Sequence, residues 1–241
     1  MSDRLTIYDV GMIQPGSGRI AFFGGSFDPP HLGHLAVARA ARTALDLDTV
    51  LFAPVGAQPL KPQGSTAAFD DRLTMTRLAI DDEPGFQISM ADAPRDSGAP
   101  NFTLETLEKL RAELAPGSAL FCLMGADSFW GLRHWHRAEE IPFVAPLIVA
   151  SRPGQPVDEL QPALPAGLVL EPEREETRAG VLVRTFSLAG RDGRRAPFYL
   201  LPGLDVEISA SSVRAQVARS SPARLIPQAV AEYIRAHGLY R

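Results

Sequence analysis

The chain has 241 residues, 45% of them hydrophobic and 22% charged, which is enough for one large α/β domain or two small ones. Its formal net charge of -4 argues against a dedicated nucleic-acid binder, and no apolar run approaches the roughly 20 residues needed to cross a bilayer. A single cysteine, Cys122, excludes an internal disulfide framework and a cysteine-rich zinc site.

Residues 1–18 mix charged, polar and apolar side chains and lack the apolar core of a signal peptide. We expect them to form an N-terminal extension with some flexibility, followed by a single domain over residues 19–241. Together these features predict a soluble, cytoplasmic protein with no membrane or nucleic-acid partner. The sequence does not disclose the oligomeric state, so a homo-oligomer stays open.

Short apolar runs alternate with helical patterns along the chain, which is typical of βαβ units around a parallel sheet. The predicted strands cover residues 20–23, 50–53, 86–90, 120–124, 146–150 and 181–186. The predicted helices cover residues 35–45, 70–80, 103–114, 211–219 and 227–237. Residues 153–179 are expected to cover the surface, and the Arg-rich residues 189–196 to form an inserted loop before the last strand. This order predicts an α/β fold with a doubly wound, mostly parallel Rossmann-like sheet and a small helical C-terminal piece.

The segment after the first predicted strand carries the strongest chemical signal. It reads Gly24-Gly25-Ser26-Phe27-Asp28-Pro29-Pro30-His31-Leu32-Gly33-His34 and joins a strand to a helix, where open α/β sheets bind nucleotides. Gly24 and Gly25 let backbone N–H groups approach an anion, because no Cβ intervenes. His31 and His34 share one face of the helix start, where free N–H groups favour phosphate. From the pair alone, a metal site or a solvated surface remains an alternative.

A second segment near the C-terminus has similar features. It reads Ile208-Ser209-Ala210-Ser211-Ser212-Val213-Arg214. Ser209 or Ser211 can cap a helix, and Arg214 lies one turn further in, where its guanidinium can reach a phosphate. Taken alone, the segment is equally consistent with an ordinary capped helix.

The first segment is neither a Walker P-loop nor the G-x-G-x-x-G of dinucleotide-binding folds. It resembles the H-x-G-H signature of the nucleotidylyltransferase superfamily, and the second segment resembles that superfamily's Ile-Ser-x-Thr/Ser-x-x-Arg signature. Within the superfamily, the chain most resembles bacterial nicotinate-nucleotide adenylyltransferases, from Ile20 to the C-terminus. Further matching segments are Asp71-Arg72-x-x-Met75, Asn101-Phe102-Thr103, Met124-Gly125-Ala126-Asp127-Ser128, Trp135, Leu147-Ile148-Val149-x-x-Arg152-Pro153-Gly154 and Gly238-Leu239-Tyr240-Arg241.

The resemblance implies an enzyme that joins nicotinate mononucleotide to ATP, giving deamido-NAD and pyrophosphate. Mg²⁺ would arrive with the ATP phosphates, without a metal site on the protein. The implied catalytic residues are His31, His34 and Arg214. The implied ATP-binding residues are Gly24, Gly25, Ser26, Phe27, His31, His34, Asp127, Ser209, Ser211 and Arg214. The implied residues for nicotinate mononucleotide are Lys61, Phe102, Thr103, Trp135 and Arg152.

Individual roles follow from this assignment. The two histidines would contact the α- and β-phosphates, and Arg214 and the helix start at Ser209–Ser211 would contact the leaving pyrophosphate. Asp127 would bind a ribose, and Trp135 would stack on the pyridine ring. The attacking phosphate is mostly dianionic at pH 7, so no general base is required and the site must position two polyanions and stabilise charge. Without the resemblance, Asp127 could equally cap a turn and Trp135 could be a core residue.

Some positions depart from the family pattern or carry other interpretations. Leu60 stands where many members have His, Phe102 where Tyr is frequent, and Ser211 where Thr is commoner. His134 and His136 are interpreted as surface residues, and Cys122 as a core residue.

Two competing hypotheses remain. One is a pantetheine-phosphate adenylyltransferase or small cytidylyltransferase, which does not explain Trp135 or the Asn101-Phe102-Thr103 segment. The other is a non-catalytic nucleotide sensor, which would be expected to lack one of the motif histidines or the arginine.

Overall fold

A computed structural model describes residues 18–60, 63–151, 160–204, 208–219 and 225–241. Its strands are β1 (Arg19–Gly25), β2 (Thr49–Pro54), β3 (Phe86–Ile88), β4 (Ala119–Gly125), β5 (Leu147–Ala150), β6 (Val169–Arg178), β7 (Val181–Ala189) and β8 (Arg195–Leu201). Its α-helices are α1 (Leu32–Ala44), α2 (Phe69–Ile80), α3 (Thr103–Glu113), α4 (Ala126–Gly131), α5 (Ile141–Val144), α6 (Leu160–Ala163), α7 (Ala210–Ala218) and α8 (Gln228–His237). A 3₁₀ turn at Leu132–His134 follows α4.

The strands in these ranges form one sheet in the order β3-β2-β1-β4-β5-β8-β7-β6. The strands β3, β2, β1, β4, β5 and β8 pair in parallel. Strands β7 and β6 are added antiparallel at the β8 edge. The predicted mostly parallel α/β fold is confirmed. Strands β2 and β3 lie on one side of β1, and the next strand along the chain, β4, lies on its other side. The strand order therefore reverses between β1 and β4. Ligands of open α/β sheets bind outside the carboxyl ends of the strands at such a point.

Side chains of successive strand residues point to opposite faces, and each face has its own core. Ala21 and Phe23 of β1 pack in one cluster with α1, α2, α7 and α8. Ile20 and Phe22 pack in the other cluster with α3, α4, α5 and α6. The sheet is therefore covered by helices on both sides.

Strand β8 and the short helices α4, α5 and α6 were not among the predicted elements, and three predicted segments differ from the structure. Helix α1 begins at Leu32 and not at residue 35, directly after His31. The segment expected only to cover the surface contains β6, an exposed edge strand that pairs through its backbone with β7. The expected inserted loop at 189–196 is a tight hairpin turn, because its first and last residues belong to β7 and β8.

Residues 1–17 lie outside the described ranges, so the N-terminal extension and the domain limits stay predictions. Within the described ranges, no helix is long and apolar enough to cross a membrane.

Candidate active site

The β1–α1 loop (residues 26–31) follows the glycine pair at the end of β1. A Cβ on Gly24 would come within 2.8 Å of the Phe22 ring, so packing as well as the expected approach of an anion favours glycine at position 24. Phe27 has a φ of 45°, a left-handed conformation that is unfavourable for a bulky residue. Its buried ring lies 4.9 Å from the ring of His34. The buried Phe27 ring thus holds the loop in one conformation.

The two motif histidines stack at the start of α1. Their ring centroids are 3.6 Å apart and the planes differ by 21°. The backbone N–H of His31 donates to Nδ1 of His34 at 3.1 Å. Because a backbone N–H can only donate, Nδ1 of His34 must be unprotonated and the neutral ring carries its proton on Nε2. Desolvation, together with the neighbouring His31, lowers the pKa of His34 well below its ordinary value. At pH 7 His34 is therefore a neutral donor.

A smaller cavity of about 280 Å³ opens above this histidine pair. The ends of β1, β4 and β5 and the starts of α1 and α7 contribute its walls. Its lining includes Gly24, Gly25, Ser26, Phe27, His31, His34, Asp127, Ser151 and Ser209. Eight of the ten residues that the sequence assigned to ATP line this cavity, and Ser211 and Arg214 do not.

A larger cavity of about 630 Å³ lies beside it. Its lining includes Gln58, Asp92, Asn101, Phe102, Thr103, Cys122, His134, Trp135 and His136. Gly24, Gly25, Gln58, Asp127 and Ser128 line both cavities. The two cavities therefore adjoin at the carboxyl ends of β1 and β4, and a group bound in one can reach a group bound in the other.

The start of α3 forms part of the wall of the larger cavity. Phe102 is the N-cap residue and its side chain makes no capping hydrogen bond, since it has no acceptor. The first N–H groups of a helix have no partner within the helix, so this uncapped end favours an anion. The Phe102 ring packs on His136 with centroids 4.5 Å apart. The Asn101 amide accepts from Ala57 N–H and donates to the Ala93 carbonyl, which fixes the approach to the helix.

Two buried groups, Asp92 and Cys122, line the larger cavity, and only Cys122 was interpreted from the sequence. Asp92 accepts a hydrogen bond from the Thr106 hydroxyl at 2.7 Å, and burial raises the pKa of its carboxyl. Cys122 is buried as predicted, and burial, together with Asp92, raises the pKa of its thiol to about 12. A thiol of that pKa is a core residue and not a nucleophile.

The second signature lies at the start of α7. Ser209 is the residue that caps the helix, accepting from Ser212 N–H at 3.1 Å. Arg214 donates from Nη1 to the main-chain carbonyl of Asp28 at 2.7 Å and from Nη2 to the Ser211 hydroxyl at 3.3 Å. Ser211 and Arg214 are not among the described residues that line either cavity. Arg214 is instead anchored on the β1–α1 loop.

The remaining assignments divide in two. Lys61 and Arg152 lie outside the described residues, so their roles stay predictions. His134 and His136 are exposed as interpreted, yet both border the larger cavity.

Sequence reasoning missed Gln58 and Asp92, which both line the larger cavity. Gln58 precedes a lysine already singled out, whereas no local pattern distinguishes Asp92 from a loop residue. In the described ranges, no group of three or more His, Cys, Asp or Glu side chains could hold a metal ion.

The lowered pKa of His34 predicts a pH dependence of stability. Between that folded-state pKa and 6.5, the unfolded chain binds the proton and the folded protein does not, so the free energy of unfolding falls as pH decreases. One such group contributes a slope of at most about 1.4 kcal/mol per pH unit. Urea unfolding of the ligand-free protein from pH 7 to 5.5 measures it, and His34→Gln should flatten the curve. A variant with the wild-type slope would contradict the burial of a neutral His34.

Fold and site together define a nucleotide-binding α/β protein with a histidine pair at the first helix. The sequence profile described as Cytidylyltransferase-like matches residues 22–216. A protein of Stenotrophomonas maltophilia (strain K279a), named "Probable nicotinate-nucleotide adenylyltransferase", is 43% identical over 91% of this chain and 96% of its own. Proteins of the same name from Aeromonas hydrophila and Solibacter usitatus are 38% and 33% identical, each over 92% of this chain and over 97% and 99% of their own lengths. The chain belongs to the nicotinate-nucleotide adenylyltransferases of the cytidylyltransferase-like family.

Solved structures support the fold independently. Plasmodium falciparum nicotinic acid mononucleotide adenylyltransferase complexed with NaAD superimposes with a TM-score of 0.65, over 92% of this chain and 97% of that one. The same protein complexed with APC gives 0.63, over the same shares. Sequence identity is 16% in both cases, so these structures speak for the architecture alone.

Proposed function

We propose that this protein transfers the adenylyl group of ATP to nicotinate mononucleotide, giving deamido-NAD and pyrophosphate. The observation that carries the proposal is the pair of adjoining cavities at the ends of β1 and β4. One cavity has a histidine pair at a helix start, and the other has an uncapped helix start and a tryptophan. Curated relatives over nearly the whole chain carry the name of this activity.

ATP occupies the smaller cavity in this proposal, with Mg²⁺ entering as part of the substrate. Gly24, Gly25, Ser26 and Phe27 present the loop to the phosphates, and Asp127 accepts from a ribose hydroxyl. The Nε2–H of His34 donates to a phosphate oxygen while the ring stays neutral. A neutral donor needs no reorganisation when charge develops on the transferred group, which is the condition for electrostatic stabilisation of a transition state.

The leaving end of ATP faces α7. Ser209 and Ser211 mark the start of this helix, whose N-terminus favours the negative charge of departing pyrophosphate. Arg214 uses two of its five N–H groups on Asp28 and Ser211, so its charge remains close to the β1–α1 loop. It acts on the phosphates through the β1–α1 loop that it holds.

Nicotinate mononucleotide occupies the larger cavity. The carboxylate of the ring meets the uncapped start of α3 at Phe102 and Thr103, and Trp135 stacks on the ring face. The phosphate points toward the residues shared by both cavities and attacks the α-phosphorus in line. Lys61 and Arg152 are proposed to contact this substrate as well. Because the phosphate is already mostly dianionic, the site supplies orientation and not a general base.

Pyrophosphate release tests this assignment. The protein is incubated with MgATP and, separately, nicotinate mononucleotide, phosphopantetheine or no acceptor, and with CTP in place of ATP. We expect release only with ATP and nicotinate mononucleotide, in a one-to-one ratio with deamido-NAD. Release with phosphopantetheine would indicate the other adenylyltransferase class. Nucleotide binding without release under any condition would indicate a sensor.

A further inference from the structure

The last residues of the chain reach into the β1–α1 loop. Helix α8 ends at His237, and its C-cap residue Gly238 takes the left-handed conformation. Tyr240 also has a positive φ, 61°, which is unfavourable for an aromatic residue and must be held by its surroundings. Its hydroxyl donates to Oδ1 of Asp28 at 2.7 Å. The Gly238-Leu239-Tyr240-Arg241 segment therefore closes on the loop that follows β1.

Asp28 is the point where several elements meet. Its carboxylate is buried and also accepts from the N–H groups of Thr66 and Ala67, at 2.6 and 3.1 Å. Its main-chain carbonyl accepts from Nη1 of Arg214. One residue thus joins the C-terminus, the approach to α2 and the start of α7.

A buried arginine completes this cluster. Arg72 donates to the carbonyls of Ser26 and Val55 at 2.7 and 2.8 Å, and its charge faces Asp28. Burial, followed by the hydrogen bond to Asp28, raises the pKa of Tyr240, so the phenol stays protonated and remains a donor. Arg72 therefore holds the loop through the Ser26 carbonyl, and the Tyr240 hydroxyl holds it through the Asp28 carboxylate.

We propose that Tyr240 is a positioning residue for the transfer reaction, holding Asp28 so that the Asp28 carbonyl fixes the guanidinium of Arg214 against the β1–α1 loop that borders the smaller cavity. This inference rests on the proposed function. Tyr240 touches neither substrate and acts through two successive hydrogen bonds. Loss of its hydroxyl leaves the Asp28 carboxylate with two backbone donors, so the fold persists while the loop and Arg214 loosen.

Tyr240→Phe removes only the hydroxyl, and Tyr233→Phe is its matched control. Tyr233 lies on α8 and donates to Oδ1 of Asp71 at 2.9 Å, so both variants delete a tyrosine–aspartate hydrogen bond in the C-terminal segment. Only Tyr240 bonds to the β1–α1 loop. We expect Tyr240→Phe to lower kcat/KM for ATP about tenfold, and Tyr233→Phe to change it by less than about twofold. Similar losses in both variants would show a general structural effect and overturn the proposal.

A double-mutant cycle with Arg214→Lys tests the route. Lysine keeps the charge and loses the planar fork, so it cannot be fixed by the Asp28 carbonyl in the same way. If Tyr240 acts through Arg214, Tyr240→Phe should cost less than about twofold in the Arg214→Lys background. An unchanged tenfold effect there would overturn the proposal.

MgATP affinity is measured by calorimetry in the four proteins of the cycle, which are the wild type, Tyr240→Phe, Arg214→Lys and the double variant. We expect binding to show the same coupling between Tyr240 and Arg214. If the wild type binds MgATP but forms no deamido-NAD, the proposed function fails while the binding cycle still decides the role of Tyr240. If the wild type forms deamido-NAD and Tyr240→Phe equals it in both assays, the role of Tyr240 fails alone.

Discussion

Replacement of His34 by alanine is expected to lower kcat on the order of 10²–10³-fold, the loss seen when one preorganised donor to a transition-state oxyanion is removed. The geometry gives the reason. The His31 N–H fixes the tautomer through Nδ1, and the stacked His31 ring and the Phe27 edge fix the plane, so Nε2–H is aimed before substrate arrives. The measurement is steady-state kcat at saturating MgATP and nicotinate mononucleotide.

Two further variants separate a donor from a packing role. Glutamine at position 34 carries an amide N–H that can approximate Nε2–H, so His34→Gln should recover part of the lost rate. His237→Ala removes an exposed imidazole on α8 and should leave kcat unchanged. Wild-type kcat in His34→Ala would make His34 a structural residue of the loop. The same conclusion would follow if the loss of kcat were explained by the fraction of the variant that is unfolded, as judged from a lowered Tm.

Nicotinate mononucleotide is expected to be preferred over nicotinamide mononucleotide on the order of 10²-fold or more in kcat/KM. Both substrates carry the ring that Trp135 stacks on, so discrimination must come from donors to the carboxylate. The uncapped start of α3 supplies them, because the Phe102 side chain leaves the first N–H groups of the helix without a cap. Hydrogen bonds to charged groups contribute about 1.5–3 kcal/mol each, and two of them, partly retained by the amide, give this ratio.

Trp135→Ala separates stacking from carboxylate recognition. An offset aromatic contact is worth about 0.5–1.5 kcal/mol, so the variant should weaken use of both mononucleotides. Most of the ratio between them should survive. If the kcat/KM ratio of the two mononucleotides fell to near one in Trp135→Ala, the carboxylate would be recognised near Trp135 and not at the start of α3. Equal use of the two substrates by the wild type would contradict the nicotinate assignment.

The central strands could be predicted because parallel strands covered on both faces are continuous apolar runs. β1, β2 and β4 all have this character. Strand β6 could not be predicted from the sequence, because it is an exposed edge strand rich in Glu and Arg. Backbone pairing holds it, and its sequence shows no apolar alternation. The short helices α4, α5 and α6 have four to six residues each, too few for a helical period to be visible.

The candidate site shows the same division. Residues at a strand end or a helix start, such as Gly24, His31 and Ser209, were predictable because their local sequence carries the reason. Contacts between distant segments were not. Arg214 donates to a carbonyl 186 positions away, and Tyr240 donates to Asp28 across 212 positions. Such pairs depend on how α7 and α8 pack on the sheet, which no local pattern specifies.

The most direct test of the account follows the α-phosphorus of ATP. Wild-type protein is incubated with MgATP labelled at the α-position and with nicotinate mononucleotide, and the products are separated. Two adjoining cavities, one for each substrate, predict that the label appears in deamido-NAD and that one unlabelled pyrophosphate is released per dinucleotide. Label recovered as free AMP, or orthophosphate released in place of pyrophosphate, would contradict transfer of the adenylyl group between the two cavities.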